Sequence, residues 1–116
     1  MSKTMKAIRM YAPRDLRLEQ VPVPQIRKDE VLIKVMAVGI CGSDIPRINE
    51  LGAYISPITP GHEFAGEIVQ VGSDIKNFKA GDRVTVPPIL PCFRCEYCEQ
   101  GHYALCKDYK YYGSRN

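Results

Sequence analysis

The sequence predicts a mainly β fold, a small partly open barrel or sandwich with short helices and a cysteine-rich lobe. Three observations predict it. Short runs of alternating or β-branched apolar residues recur along the chain. Glycine and proline clusters separate those runs. Four cysteines, Cys92, Cys95, Cys98 and Cys106, then form a C-x2-C-x2-C-x7-C run. With 116 residues the chain suits one small domain, which buries a less complete core than a larger domain does.

Met5 to Tyr11 alternates weakly and predicts a strand. Pro13-Arg14-Asp15 is a turn, and Asp15 to Val21 supplies a second strand, so the two form a hairpin. Pro22 and Pro24 rule out a central strand there and mark a connection. Val31 to Ile40 is the strongest strand signal. It is rich in β-branched residues and only Lys34 is charged, so both of its faces are expected to be covered. Gly39 and Gly42 bracket Cys41 and allow sharp turns around that thiol. Ser43 and Asp44 are good N-caps for a short helical stretch to Glu50, and Pro46 suits its first turn. Residues 51–61 hold two prolines and two glycines and read as an irregular loop. Phe64 to Val71 is a strand, Gly72-Ser73-Asp74 a turn, and Arg83 to Val86 a short strand. Pro87, Pro88 and Pro91 lead into the cysteine lobe, residues 91–107.

In that lobe, two-residue spacers turn neighbouring thiolates towards one centre and leave backbone amides free to support the sulfurs. Four thiolates close a tetrahedron around a soft divalent metal, with no position left for a substrate, so a zinc held here is structural. Disulfides are the first alternative, and the absence of a secretory signal speaks against them. An iron–sulfur cluster is the second. The ferredoxin run also begins C-x2-C-x2-C but continues x3-C-P, whereas here Lys107 follows the last cysteine. Arg94 and Lys107 are placed to offset part of the charge of four thiolates, or are ordinary surface charges.

Composition excludes several classes. A formal net charge of +3, without any long basic run, does not predict nucleic-acid binding. No apolar stretch reaches membrane-spanning length. The N-terminus has neither an apolar core nor a small-residue cleavage site, so a cytoplasmic protein with reduced thiols is expected.

Cys41, His62 and Glu63 are the remaining candidates for chemistry. Read singly, Cys41 is a small buried apolar residue and His62-Glu63 a polar surface pair. Their settings say more, since Cys41 lies just past one strand and His62 just before another, where rigid sheets commonly present functional groups. A thiolate, an imidazole and a carboxylate make a three-donor set that leaves a fourth position open, as in catalytic zinc sites.

GICGSD, GHEFAG, GDRV and the four-cysteine lobe, in that order, resemble the medium-chain zinc-dependent alcohol dehydrogenases over essentially the whole chain. CGSDIPRI, YISPITPGHEF, LPCFRCEYC and YYGSR resemble the polyol branch of that family. The resemblance implies a GroES-like catalytic domain over residues 1–116 that holds two zinc ions. Cys41 and His62 would ligate the catalytic zinc, and Glu63 would ligate or approach it. Ser43 would hydrogen-bond the substrate alcohol and pass its proton on. Asp44 would orient the ligand histidine, and Cys92, Cys95, Cys98 and Cys106 would hold the structural zinc.

Many relatives carry a histidine at the place of Pro46 that moves the proton to solvent, and proline cannot. The family continues into a Rossmann domain for NAD, yet no G-x-G-x-x-G follows a strand in this sequence. The chain is therefore expected to be the N-terminal part of a larger enzyme, inactive alone and a dimer or tetramer when intact. The implied reaction is NAD-linked oxidation of galactitol 1-phosphate or a related sugar alcohol to a ketone. The basis for a phosphate is the likeness of CGSDIPRI and LPCFRCEYC to the branch that acts on a polyol phosphate; Arg47, six residues beyond Cys41, is the candidate to bind it if it faces the cleft, or else is a solvated helix charge. The competing reading is a stand-alone zinc-binding interaction module without catalysis.

Overall fold

The computed structural model describes residues 3–114, so Arg115 of the YYGSR motif lies outside it. Strands dominate, in three separate small sheets rather than a closed barrel. β1 (Thr4–Ala12) and β2 (Asp15–Pro22) form the expected antiparallel hairpin, with Ile8 opposite Leu18. Arg14 makes the turn at φ 63. Pro22 closes β2 rather than following it, which an edge strand tolerates, since among the described residues no strand pairs with the free side of β2.

The second sheet holds the functional region. β3 (Val31–Gly39), β4 (Glu63–Val71) and β5 (Arg83–Thr85) pair antiparallel in the order β3-β4-β5, with Gly39 opposite Glu63. Residues 40–62 thus leave the sheet and return to the same end of it. Three contacts pin this excursion to the first hairpin. The Arg14 amide donates to the Ile48 carbonyl at 2.7 Å, Met10 and Ile58 exchange backbone hydrogen bonds of 2.8 and 3.1 Å, and Gly52 packs close to Pro13. Met10 and Ile58 at this seam are buried, as are Ala7 on β1, His62, Ile68 on β4, and Cys98 and Cys106 in the lobe.

Within the excursion, a turn of α-helix, α1 (Asp44–Pro46), runs into a π-helical turn over Arg47–Leu51. The expected helical stretch is present, but Ser43 does not cap it. Its side chain makes no cap hydrogen bond, whereas Asp44 Oδ2 accepts from the Cys41 amide at 2.9 Å. The lobe contains α2 (Glu96–Glu99) and a 3-10 turn over Tyr103–Leu105. Two two-residue strands, β6 (Ile89–Leu90) and β7 (Lys110–Tyr111), bring the end of the described chain back across its start.

One expectation fails. β3 was expected to be covered on both faces, yet Val35, Met36 and Val38 are 49, 68 and 52% exposed. The reason is topological: among the described elements β4 alone packs extensively against β3, and it does so as a strand neighbour within the sheet rather than as a layer over its face. The radius of gyration, 15.6 Å, agrees, because a compact chain of this length has about 13 Å. Among the described residues, no helix is long and apolar enough to cross a membrane.

Candidate functional site: two clusters of metal donors

The lobe brings its four sulfurs together as the spacing predicts. All four lie within 4.8 Å of one another, and Cys92 Sγ stands 4.0 Å from Cys98 Sγ. Disulfide sulfurs lie about 2.0 Å apart, and all five cysteines of the chain are free thiols. Four sulfurs placed tetrahedrally at about 2.3 Å from one zinc stand about 3.8 Å apart, so the cradle fits that ion.

Backbone amides support the sulfurs. The Cys92 amide donates to Cys106 Sγ at 3.2 Å. The Lys107 amide first, then that of Cys98, pull the Cys95 thiol down to about 6, so this sulfur is largely thiolate at neutral pH. The Arg94 amide lowers Cys92 in the same way. Burial pushes Cys98 up to about 12, because desolvation disfavours the anion. The cationic side chains are spent elsewhere. Arg94 pairs with Asp108 and Lys107 with Glu96, each at 2.8 Å. The peptide groups of Arg94 and Lys107, rather than their charges, serve the cluster.

The second cluster sits where β3 ends and β4 begins. One donor atom each from Cys41, His62 and Glu63 lies within 4.8 Å of the others. The Gly39–Glu63 register produces this, since it brings the chain just past β3 beside the start of β4. Gly39 also makes room, because a Cβ there would stand 3.0 Å from Glu63 Oε2. His62 is only 4% exposed, Cys41 is half-buried, and Glu63 is open to solvent.

Asp44 Oδ1 lies 3.5 Å from His62 Nδ1. A carboxylate there favours the tautomer with hydrogen on Nδ1 and leaves the Nε2 lone pair to a ligand. Asp44 thus does two things, anchoring the Cys41 amide with one oxygen and facing His62 with the other.

A cleft of about 380 Å³ opens beside this cluster, lined in part by Ser43, Asp44, Arg47, Tyr54, His62 and Tyr111. Arg47 is thus half-buried and lines the cleft. Its guanidinium stacks 3.8 Å over the Tyr54 ring, donates to the Tyr54 hydroxyl, and reaches the Gly52 carbonyl at 3.4 Å. Ser43 is exposed at the rim. Two residues beside the site escaped sequence reasoning. Tyr54 and Tyr111 sit in the quoted YISPITPGHEF and YYGSR stretches, but no spacing rule links a tyrosine to a donor so far along the chain.

Comparison with known proteins agrees with this fold. Residues 27–114 match the family described as the alcohol dehydrogenase GroES-like domain. Sorbitol dehydrogenase of Bacillus subtilis (strain 168) is 50% identical over 113 residues, covering 94% of this chain and 32% of that protein. The crystal structure of galactitol-1-phosphate dehydrogenase from Escherichia coli superposes with a TM-score of 0.92 at 42% identity, over 97% of this chain and 33% of that one. A short chain alcohol dehydrogenase of Escherichia coli CFT073 complexed with cofactor NADH superposes at 0.88 and 33% identity, over 99% of this chain and 33% of that one. The chain spans about a third of the length of the curated relatives it matches.

Proposed function

The chain belongs to the alcohol dehydrogenase GroES-like domain family, and from that premise we propose that it is the N-terminal catalytic part of a zinc-dependent, NAD-linked polyol dehydrogenase. The observation that carries this reading is the convergence of Cys41, His62 and Glu63 within 4.8 Å beside an open cleft. That donor set suits zinc with one position open, and the four-thiolate lobe suits a second zinc without one. A bound zinc would supply Lewis acidity towards the substrate hydroxyl, and NAD would take the hydride.

The chain's own residues do the rest. Asp44 anchors the Cys41 backbone amide with one oxygen and faces His62 Nδ1 with the other. Ser43, at the cleft rim, accepts the proton of the substrate alcohol through its hydroxyl, which both accepts and donates. Pro46 has no group to carry that proton onward. Ser43 is itself exposed, so bulk water receives it.

Arg47 sets the substrate class in this reading, which is a phosphorylated polyol. A guanidinium has five donors in a rigid fork suited to phosphate. Its stacking on Tyr54 fixes the plane of that fork at the cleft wall.

The test is kinetic, on protein expressed from its complete reading frame. Galactitol 1-phosphate is expected to show a higher kcat/KM than galactitol or sorbitol. Arg47→Ala is expected to narrow that preference by at least about tenfold, the loss of one charged hydrogen-bond pair. A higher kcat/KM for sorbitol overturns the substrate class and leaves the dehydrogenase standing. Protein purified without chelator is expected to carry two zinc ions per chain, and Cys41→Ser one. A count unaffected by Cys41→Ser overturns the catalytic centre.

A further inference from the structure

Tyr111 lies 49 residues from His62 in sequence, yet the two rings meet edge to face, with centroids 5.2 Å apart and planes at 65°. Three features hold the tyrosine there. β7 pairs with β6, placing Tyr111 opposite Ile89. The next residue, Tyr112, donates its amide to the Pro88 carbonyl at 3.0 Å. Gly113, at φ +67, lies against Gly61, so that a Cβ at Gly113 would fall 2.4 Å from the Gly61 carbonyl oxygen. Gly61 is the residue immediately before His62. The segment carrying Tyr111 is therefore keyed to the backbone that carries the histidine.

We propose that Tyr111 is a positioning residue: its ring restrains the His62 imidazole against rotation while Asp44 fixes the tautomer, so that Nε2 stays aimed towards Cys41 and Glu63. Asp44 alone does not restrain the ring enough. At 3.5 Å its contact with Nδ1 is long for a hydrogen bond, and it acts at one atom. An edge-to-face aromatic contact sets the ring plane instead. Tyr111 meets the histidine with the edge or face of a ring, and in this respect it differs from Asp44, which faces it with a carboxylate.

The proposal rests on the reading of Cys41, His62 and Glu63 as a metal centre, and the experiment separates the two. The variants are Tyr111→Leu, which keeps apolar bulk without a ring, and Tyr111→Phe, which keeps the ring, both in the full chain. The first readout is the His62 imidazole by long-range nitrogen–proton NMR in metal-free protein. The chain has two histidines, and the exposed His102 is an internal control. Wild type and Tyr111→Phe are expected to show sharp His62 signals, and Tyr111→Leu to show His62 signals broadened by exchange between ring orientations, with those of His102 unchanged. The second readout is cobalt titration, in which a tetrathiolate lobe and a single-thiolate centre absorb differently. Tyr111→Leu is expected to weaken cobalt at the Cys41 centre by about tenfold or more, with the lobe unchanged.

Tyr111→Leu behaving as wild type in both readouts overturns the proposal. So does Tyr111→Phe losing as much as Tyr111→Leu, because the ring would then not be the acting group. Loss of the lobe absorption in Tyr111→Leu also overturns it, because Tyr111 would then support the fold at large. If wild-type protein takes cobalt only in the lobe, the metal centre fails, and the His62 signals still decide the role of Tyr111.

Discussion

Cys95 and Cys98 sit three positions apart, and the fold drives them in opposite directions. Amide donors from Lys107 and Cys98 draw Cys95 to about 6, while burial drives Cys98 to about 12. In chelator-treated protein at pH 7, iodoacetamide is expected to modify Cys95 at least about tenfold faster than Cys98, because the thiolate is the nucleophile. Peptide mass spectrometry after short exposures reads the order. Equal rates would mean that the sulfur cradle is not formed without metal. At this scale the sequence was informative where spacing alone decides, as in the four cysteines. It was uninformative where a peptide group acts, because nothing in Arg94 or Lys107 as letters says that their amides matter and that their side chains go to Asp108 and Glu96.

Short elements hold this chain together, and a single side chain can decide one of them. Asp82, in the GDRV stretch, accepts from the Lys79 amide at 2.9 Å and from the Lys79 ammonium at 2.6 Å. This closes the turn before β5. The same turn is tied to β4, where the Ile68 amide donates to the Asp82 carbonyl at 2.9 Å. The lysine ammonium and then its amide hold the Asp82 carboxyl below its ordinary value of 3.8. A carboxyl lowered on folding adds stability that is complete above its unfolded value and is lost as pH falls through its folded one. Asp82→Asn is therefore expected to lower the urea midpoint at pH 6, with the gap to wild type shrinking below 3.8. A gap that persists unchanged at pH 3 would show that the hydrogen-bond geometry acts without the charge. Element types were legible for most of the chain, from alternation and from the glycine and proline boundaries. The two-residue strands β6 and β7 were not, because two residues have no period to read. With them went the path that brings Tyr111 to His62.

At the scale of the molecule, the principal surprise is how much apolar surface stays open. Met36 and Ile40 are 68 and 81% exposed along and just past the edge strand β3, and large exposed apolar surface marks a face that covers or is covered by something. The isolated chain is expected to bind the dye ANS. A Met36→Lys, Ile40→Lys pair is expected to reduce that fluorescence several-fold with circular dichroism unchanged, and undiminished fluorescence would place the sticky surface elsewhere. The β-branched run of β3 predicted the strand and misled about its cover. Hydrophobicity records what a surface needs, whereas topology decides whether the neighbouring element is present to supply it.

Residues 40–62 leave the β3–β4 end and come back to it, with Cys41 at one foot and His62 at the other. The middle of this excursion supplies Arg47 and Tyr54 to the cleft wall. The feet are set by strand register, which does not depend on what lies between them. The middle can therefore be exchanged without moving the strand register that sets the two feet, provided its contacts with the first hairpin are kept. Such an arrangement behaves as an exchangeable cassette. Grafting residues 45–59 of one relative onto the feet of another is a direct way to move a substrate preference while the reaction centre stays where it was.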